Sequence, residues 1–222
     1  PSPWAGDGFG FEPDTDPAFL HTLRRRADEC GALLVLDEIM TGYRYPELSA
    51  QAAKDVKPDL TCLGKAIASG LPLSALVGRA DLFKGHLPQS FYAPTFHNES
   101  LSLAAARASI QVYRDEPVAE HIWNYGARLR DGIHELCEQL GVPAKVWGPE
   151  FRMNLRFQED DPDRHHRQRT LYIQELLRAG ITTCNAVMLP CYAHDDAALA
   201  TTLDGIGRAL EVVAAARARD DW

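Results

Sequence analysis

Two short stretches decide the fold of this chain: LLVLDEIMTGYR at Leu33–Arg44, and PDLTCLGK at Pro58–Lys65. Each contains a short apolar run. Asp37 follows the first run directly, and Lys65 follows the second after a glycine. Continuous apolar runs of this length are typical of strands that are covered on both faces in a parallel sheet. Ligands of such sheets bind beyond the carboxyl ends of the strands, so Asp37 and Lys65 are predicted to border a ligand site.

The segments around these runs alternate between helical and strand patterns. Asp16-Pro17 predicts the start of a helix, and Gly31 predicts its end. The two apolar runs predict strands at 32–36 and 59–63, a third strand is predicted at 73–77, and helices at 101–113 and 118–140. This order indicates an α/β layer architecture. The basic triplet Arg24–Arg26 is predicted to lie on a solvated helix face.

The pattern changes from Val142 onward. Strands are predicted at 144–147, 152–157 and 181–189, a charged turn at 160–169, and helices at 171–177 and 197–216. This succession predicts a small α+β domain packed on the first. Residues 1–141 are therefore expected to form part of a large α/β domain with its connecting helix, and residues 142–222 the small domain.

Composition excludes several classes of function. The 222 residues carry 23 basic and 31 acidic side chains, a formal net charge of −8 that argues against nucleic acid as a partner. No apolar run approaches the ~20 residues that a membrane-spanning helix needs. The five cysteines form no C-x-x-C pair, which favours reduced thiols in a cytosolic protein. No tetrahedral ligand spacing stands out, so no metal site is expected.

The residue types at the two strand ends are compatible with pyridoxal phosphate as the ligand, although a single buried aspartate is more often a cap or a paired structural charge. A lysine in a poorly solvated pocket becomes a nucleophile, and this cofactor is held by such a lysine. The cofactor also needs an acid against its ring nitrogen, a role that Asp37 could fill. Ile39, two positions on, points to the same side of an extended chain and could lie flat against the ring. Thr95, in a loop just before a helix, could bind the phosphate.

Together the blocks 37–44 and 58–75 closely resemble the class III aminotransferases, with the nearest likeness to the glutamate-1-semialdehyde aminomutase-like branch. The resemblance implies the fold of type I pyridoxal-phosphate transferases, an obligate homodimer and a cytoplasmic setting. It implies that Asp37 binds the pyridine nitrogen and that Ile39 packs on the ring. By the same resemblance, Lys65 carries the internal aldimine and moves the substrate proton, and Thr95 reaches the phosphate of the cofactor bound mainly by the other subunit.

Two departures from the family pattern leave alternatives open. After Thr95 the family usually has Ser-Gly-Asn-Pro or similar, whereas this chain has Phe-His-Asn-Glu at 96–99, ending in Glu99. The likeness also extends only over the C-terminal half of a family member. The chain is therefore expected to be the lysine-bearing C-terminal part of an aminotransferase or aminomutase. A catalytically incomplete fragment, a partner subunit that needs a separate N-terminal segment, and a related decarboxylase or racemase remain alternatives. Arg152 could bind a substrate carboxylate or simply be an exposed strand arginine.

Overall fold

The computed structural model describes residues 17–86, 89, 91, 95–96 and 99–220, so the loop expected at residues 1–16 lies outside it. The described helices and strands are α1 (Pro17–Cys30), β1 (Val35–Asp37), α2 (Ala50–Ala53), β2 (Leu60–Leu63), β3 (Ala75–Gly78), α3 (Ala80–His86), α4 (Ser100–Asp115), α5 (Val118–Gln139), β4 (Ala144–Trp147), β5 (Met153–Phe157), α6 (Pro162–Arg178), β6 (Val187–Met188) and α7 (Asp196–Arg219). A single 3₁₀ turn, Lys65–Ile67, follows β2. No helix in these described ranges is long and apolar enough to cross a membrane.

The first sheet has the strand order β1-β2-β3. β1 and β2 pair in parallel, with Val35 opposite Leu60 and Asp37 opposite Cys62. β3 then runs antiparallel to β2, a direction that the sequence pattern did not predict. The parallel pair brings the carboxyl ends of β1 and β2 to the same edge of the sheet, which is the geometry predicted for a ligand site.

The described residues do not cover all the apolar side chains of this sheet. Val35 on β1 stays 48% exposed, and Leu76 and Val77 on β3 stay 51% and 43% exposed. The two-sided cover expected for β1 is therefore not provided by the part of the chain that the structure describes.

Asp59, just before β2, holds the first sheet to its neighbours. One carboxylate oxygen accepts hydrogen bonds from Arg24 on α1 at 2.7 Å and from the Leu34 amide at 2.8 Å, and the other accepts from Arg79 at 2.7 Å. Hydrogen bonds from Arg24 and Arg79 lower the pKa of Asp59 well below its usual range. Arg24 thus departs from the solvated role predicted for the triplet, because it lies opposite a buried acid.

The C-terminal sheet is antiparallel, in the order β4-β5-β6. On β5, Met153, Leu155 and Phe157 are buried, as the alternating pattern predicted. The sheet packs with α5, α6 and α7 around one apolar core. The buried members of this core are Tyr125, Leu129, Ile133, Cys137, Val142, Val146, Met153, Leu155, Phe157, Tyr172, Leu176, Ala186, Leu199, Ile206, Ala209, Leu210 and Val213.

Two predictions in this region were wrong. The predicted charged turn at 160–169 is instead the start of α6, whose cap is Asp161; its side chain accepts a hydrogen bond from the Asp163 amide at 2.9 Å. The predicted strand at 181–189 shrinks to Val187–Met188. Asn185 and Ala186 adopt left-handed backbone angles, φ 54° and 59°, which turn the chain tightly just before β6.

The chain forms two compact units. The described residues up to Glu120 make up one unit, and those from His121 onward make up the other. Nearly all of α5 therefore belongs with the C-terminal unit. The domain division predicted at residue 141, after this helix, stays a prediction. The compact units divide earlier in the chain, because a connecting helix is grouped with the unit that it contacts.

Replacing Asp59 by Asn is expected to lower the melting temperature at pH 7. A group whose pKa is lowered by folding stabilises the folded state above its unfolded pKa of about 3.9, and this contribution is lost as pH falls through the folded value. The gap between wild type and Asp59→Asn should therefore be constant above about pH 5 and narrow below about pH 4. Thermal melts from pH 7 to pH 2 would measure it.

Asp28→Asn provides the control for this prediction, because Asp28 is 65% exposed and also binds Arg24. Exposed ion pairs contribute little to stability, so this variant should melt close to wild type. Equal losses in the two variants would contradict the assigned role of Asp59.

Candidate active site

Asp37 is the last residue of β1, and its side chain is exposed at the edge of the sheet. Its Oδ1 accepts a hydrogen bond from the amide of Ile39 at 2.9 Å, which fixes the orientation of the carboxylate. Among the described residues, Oδ2 has no hydrogen-bond partner. Asp37 therefore presents one oriented and unengaged acceptor beyond the end of the strand.

Glu38 turns the opposite way and is 1% exposed. Its Oε2 accepts hydrogen bonds from the Thr41 hydroxyl and from the Ala50 amide, the latter at 3.0 Å, and its Oε1 accepts from the Gln51 amide at 2.7 Å. This buried carboxylate thus joins the turn after β1 to the first residues of α2. Sequence reasoning assigned Glu38 no role, although alternation at a strand end predicts that two consecutive acids point in opposite directions.

Lys65 lies three residues beyond Cys62, the partner of Asp37 in the parallel register. Its backbone is left-handed, with φ 44°, a strained conformation for a residue other than glycine. Its side chain is exposed, and within the described ranges its Nζ makes no ion pair and no hydrogen bond. A strained backbone and an unpaired amine at the same residue are typical of a functional position.

Gly64 brings the two motifs into contact. A Cβ atom placed on Gly64 would lie 3.2 Å from Cγ2 of Ile39, closer than most real contacts of this kind. Ile39, two residues after Asp37, thus packs directly against the glycine before the lysine, and a side chain at position 64 would require Ile39 to shift by a few tenths of an ångström. Asp37, Ile39 and Lys65 therefore belong to one cluster at the edge of the sheet.

The loop after Lys65 packs on α4. Ile67 and Ala68, 7% and 2% exposed, form a small apolar core with Ala106. The partly buried side chains that pack against it are Tyr43, Leu63, Leu71, Leu73, Ala75 and Ile110. Helix α4 thus packs against the loop that carries Lys65 through this apolar core.

The structure does not join the other predicted residues to this cluster. Thr95 is exposed in a turn and has no hydrogen bond to any described residue, so its phosphate-binding role stays a prediction. Glu99, the departure from the family pattern, caps α4: it accepts from the Leu101 and Ser102 amides at 2.7 and 2.6 Å. Arg152 is partly buried before β5, where burial lowers its pKa. Its predicted contact with substrate stays untested.

The sequence profile described as "Aminotransferase class-III" matches residues 5–210, so the chain belongs to the class III aminotransferase family. Its fold is that of pyridoxal-phosphate-dependent transaminases of fold type I. Both results confirm the expectations drawn from the two motifs. The aminomutase-like branch is not distinguished by this match.

Several relatives resemble the chain over most of its length. It is 29% identical over 203 residues to the 3-aminobutyryl-CoA aminotransferase of Cloacimonas acidaminovorans (strain Evry), covering 89% of this chain and 48% of the relative. It is also 29% identical to the FumI protein of Sphingopyxis sp. MTA144, solved as the PLP internal aldimine form, with a TM-score of 0.85 and coverage of 91% and 48%. A β-phenylalanine aminotransferase from Variovorax paradoxus is 28% identical, with a TM-score of 0.75 and coverage of 91% and 49%. The chain thus spans about half the length of these relatives.

Substitution of Glu38 by Gln is expected to lower the free energy of unfolding by about 1–3 kcal/mol. Each carboxylate oxygen of Glu38 accepts a hydrogen bond from a backbone amide. A glutamine would replace one of these oxygens by an NH₂ group, which cannot accept and would face the N–H donor of Ala50 or Gln51. Chemical denaturation would measure the loss. Glu47→Gln, an exposed change in the same turn, should stay within about 0.5 kcal/mol of wild type. Equal losses in both variants would contradict the bracing role of Glu38.

Proposed function

We propose that this chain carries the lysine and the acid of a pyridoxal-phosphate-dependent amino-transfer site. The observation that supports this proposal is that Asp37 ends β1 and Lys65 follows the end of the adjacent parallel strand β2, while Ile39 packs against Gly64. When bound, the cofactor supplies an electron sink that stabilises a carbanion next to the reacting nitrogen. The protein then has to hold it, orient its ring and move protons.

The described residues fit that group. Lys65 has an amine without an ion-pair partner in the described part of the chain, as a residue that bonds covalently to an aldehyde requires. Asp37 has an oriented carboxylate with one oxygen available to hold a proton on the pyridine nitrogen. Ile39 offers an apolar surface between the two, so that the ring would lie against it.

In the proposed roles, Lys65 holds the cofactor and moves the substrate proton, while Asp37 keeps the ring nitrogen protonated. Ile39 fixes the plane of the ring. Thr95 reaches the phosphate of the cofactor bound mainly by the partner subunit of a homodimer, in a cytoplasmic protein. The exposed position of Thr95 supports a role toward another subunit.

We also propose that the chain corresponds to the lysine-bearing C-terminal part of a family member. Relatives are about twice as long, as the 48% coverage shows. The exposed apolar residues of the first sheet, Val35 and Leu76 on one face and Val77 on the other, support further polypeptide packed on this sheet. That polypeptide would supply the other side of the cofactor pocket, from the same protein or from a separate N-terminal segment.

The names of two relatives suggest a class of substrate. A 3-aminobutyryl-CoA aminotransferase and a β-phenylalanine aminotransferase are both named for compounds with the amino group on the β carbon. We propose a β-amino acid or β-amino acyl substrate for this protein. The aminomutase-like branch is the alternative, and labelled nitrogen distinguishes the two. A transaminase passes the label to a separate acceptor, whereas an aminomutase keeps it in the same molecule.

Lys65→Ala is expected to abolish the visible absorbance of covalently bound pyridoxal phosphate, since Lys65 is the residue proposed to form that bond. The measurement is a spectrum of the purified full-length protein after loading with cofactor. Lys57→Ala, which removes an exposed lysine eight positions earlier, should keep the colour. A wild-type protein that never takes up the colour would refute the proposed function and favour a scaffold role.

Asp37→Asn should keep the cofactor bound but slow amino transfer by about 10²-fold or more, because the amide cannot hold the ring nitrogen protonated. Turnover of a β-amino acid such as β-phenylalanine with a 2-oxo acid as acceptor would measure the effect. Asp55→Asn, in a turn that contacts neither motif end, is the control. Turnover near the wild-type rate in Asp37→Asn would remove Asp37 from its proposed role.

A further inference from the structure

Tyr113, near the end of α4, contacts the turns that follow both motif strands. Its hydroxyl donates to the carbonyl oxygen of Ala66 at 3.2 Å, immediately after Lys65. Its ring stacks on Tyr43, in the turn after Asp37, with centroids 5.0 Å apart and planes inclined by 20°. One side chain on a neighbouring helix thus joins the acid-bearing and the lysine-bearing segments.

The loop that Tyr113 contacts has an unusual backbone. Lys65 and Ser69 both have φ 44°, and Gly70 has φ 113°. Left-handed angles at residues other than glycine persist only where the surrounding structure holds them. The loop's own backbone hydrogen bonds among the described residues each span only three positions: the Ile67 amide donates to the Gly64 carbonyl at 3.1 Å, the Ala68 amide to the Lys65 carbonyl at 3.4 Å, and the Leu71 amide to the Ala68 carbonyl at 3.2 Å. The loop therefore depends on contacts from outside.

The Tyr113 hydroxyl, the Ser69 hydroxyl and the Ala66 carbonyl oxygen lie within hydrogen-bonding distance of one another. Ser69 Oγ donates to the Ala66 carbonyl at 3.2 Å, and it also lies 3.4 Å from the Tyr113 hydroxyl. The two hydroxyl groups have one proton each, so only two of these three contacts can be hydrogen bonds at the same time. Tyr113 and Ser69 therefore both use the Ala66 carbonyl oxygen as an acceptor. This cluster closes the loop across Lys65–Gly70 and ties it to α4.

The stack on Tyr43 fixes the ring of Tyr113 from the other side. Tyr43 itself has a left-handed backbone, φ 63°, and its amide donates to the Leu48 carbonyl at 2.7 Å. Burial raises the pKa of Tyr43, so the stacked ring stays neutral at physiological pH. The position of the Tyr113 hydroxyl is thus set by the turn that begins at Asp37.

We propose that Tyr113 is a positioning residue for Lys65. Its hydroxyl holds the strained loop in the conformation that presents the lysine amine to the cofactor, and its ring fixes that loop relative to the turn after Asp37. This inference rests on the proposed function. It predicts that the hydroxyl acts on the lysine loop without contributing to the stability of the whole unit.

The test is Tyr113→Phe, which keeps the stacked ring and removes only the hydroxyl. In the cofactor-free protein, hydrogen exchange of the Ile67, Ala68 and Leu71 amides should accelerate about two- to tenfold, the range expected for losing one hydrogen bond. Affinity for pyridoxal phosphate should fall by a similar factor. In the loaded enzyme, kcat should fall while KM for the amine stays constant, and the melting temperature should stay unchanged. Ser69→Ala should accelerate exchange at the same amides to a smaller extent.

Tyr172→Phe is the matched control, because the Tyr172 hydroxyl is buried and has no hydrogen-bond partner among the described residues. It should leave exchange in the lysine loop unchanged. Unaltered exchange in Tyr113→Phe would overturn the proposal. Acceleration across α4 and the sheet together with a lower melting temperature would also overturn it, since the residue would then serve general packing. A wild-type protein that binds no cofactor would refute the proposed function, whereas the exchange rates alone decide whether Tyr113 holds the loop.

Discussion

The contacts of Asp59 are the interaction on which the candidate site depends. This one carboxylate accepts hydrogen bonds from Arg24 on α1, from the amide of Leu34 before β1 and from Arg79 after β3. Because Asp59 directly precedes β2, these bonds fix where β1 and β2 begin relative to each other. The parallel register then places Asp37 opposite Cys62, and the lysine follows three residues later. The ion pairs of Asp59 at one end of the sheet thus help to set the relative positions of Asp37 and Lys65 at the other end.

A second layer of support lies directly behind the site. Glu38 points inward where Asp37 points outward, and it holds the turn after β1 by accepting bonds from the Ala50 and Gln51 amides. Tyr113 supports the lysine loop from α4. The two supports differ in kind. Glu38 is a buried carboxylate whose hydrogen bonds stabilise the fold. The Tyr113 hydroxyl, by contrast, contacts a strained and partly exposed loop.

Sequence reasoning could propose the candidate site because its signals are local. An apolar run followed by an acid, and another followed by glycine and lysine, are properties of neighbouring residues, and both strands were predicted within three residues of their bounds. The Tyr113 contact spans 47 positions along the chain and that between Arg24 and Asp59 spans 35, so no local pattern could predict either. The start of α6 was a different kind of error. Asp161-Pro162 carries the same cap-and-proline signal as Asp16-Pro17, but the charged residues that follow favoured a turn.

The division of the chain into two compact units has a consequence for how the protein can diversify. Every described contact that holds Asp37, Ile39 and Lys65 in place comes from residues up to Glu120. The C-terminal unit has its own core, built from α5, α6, α7 and the antiparallel sheet. Natural drift or a mutant library confined to residues after His121 would therefore leave the described contacts of these three residues unchanged. Changes near Tyr43, Gly64 or Tyr113 would instead alter the arrangement of the candidate site itself.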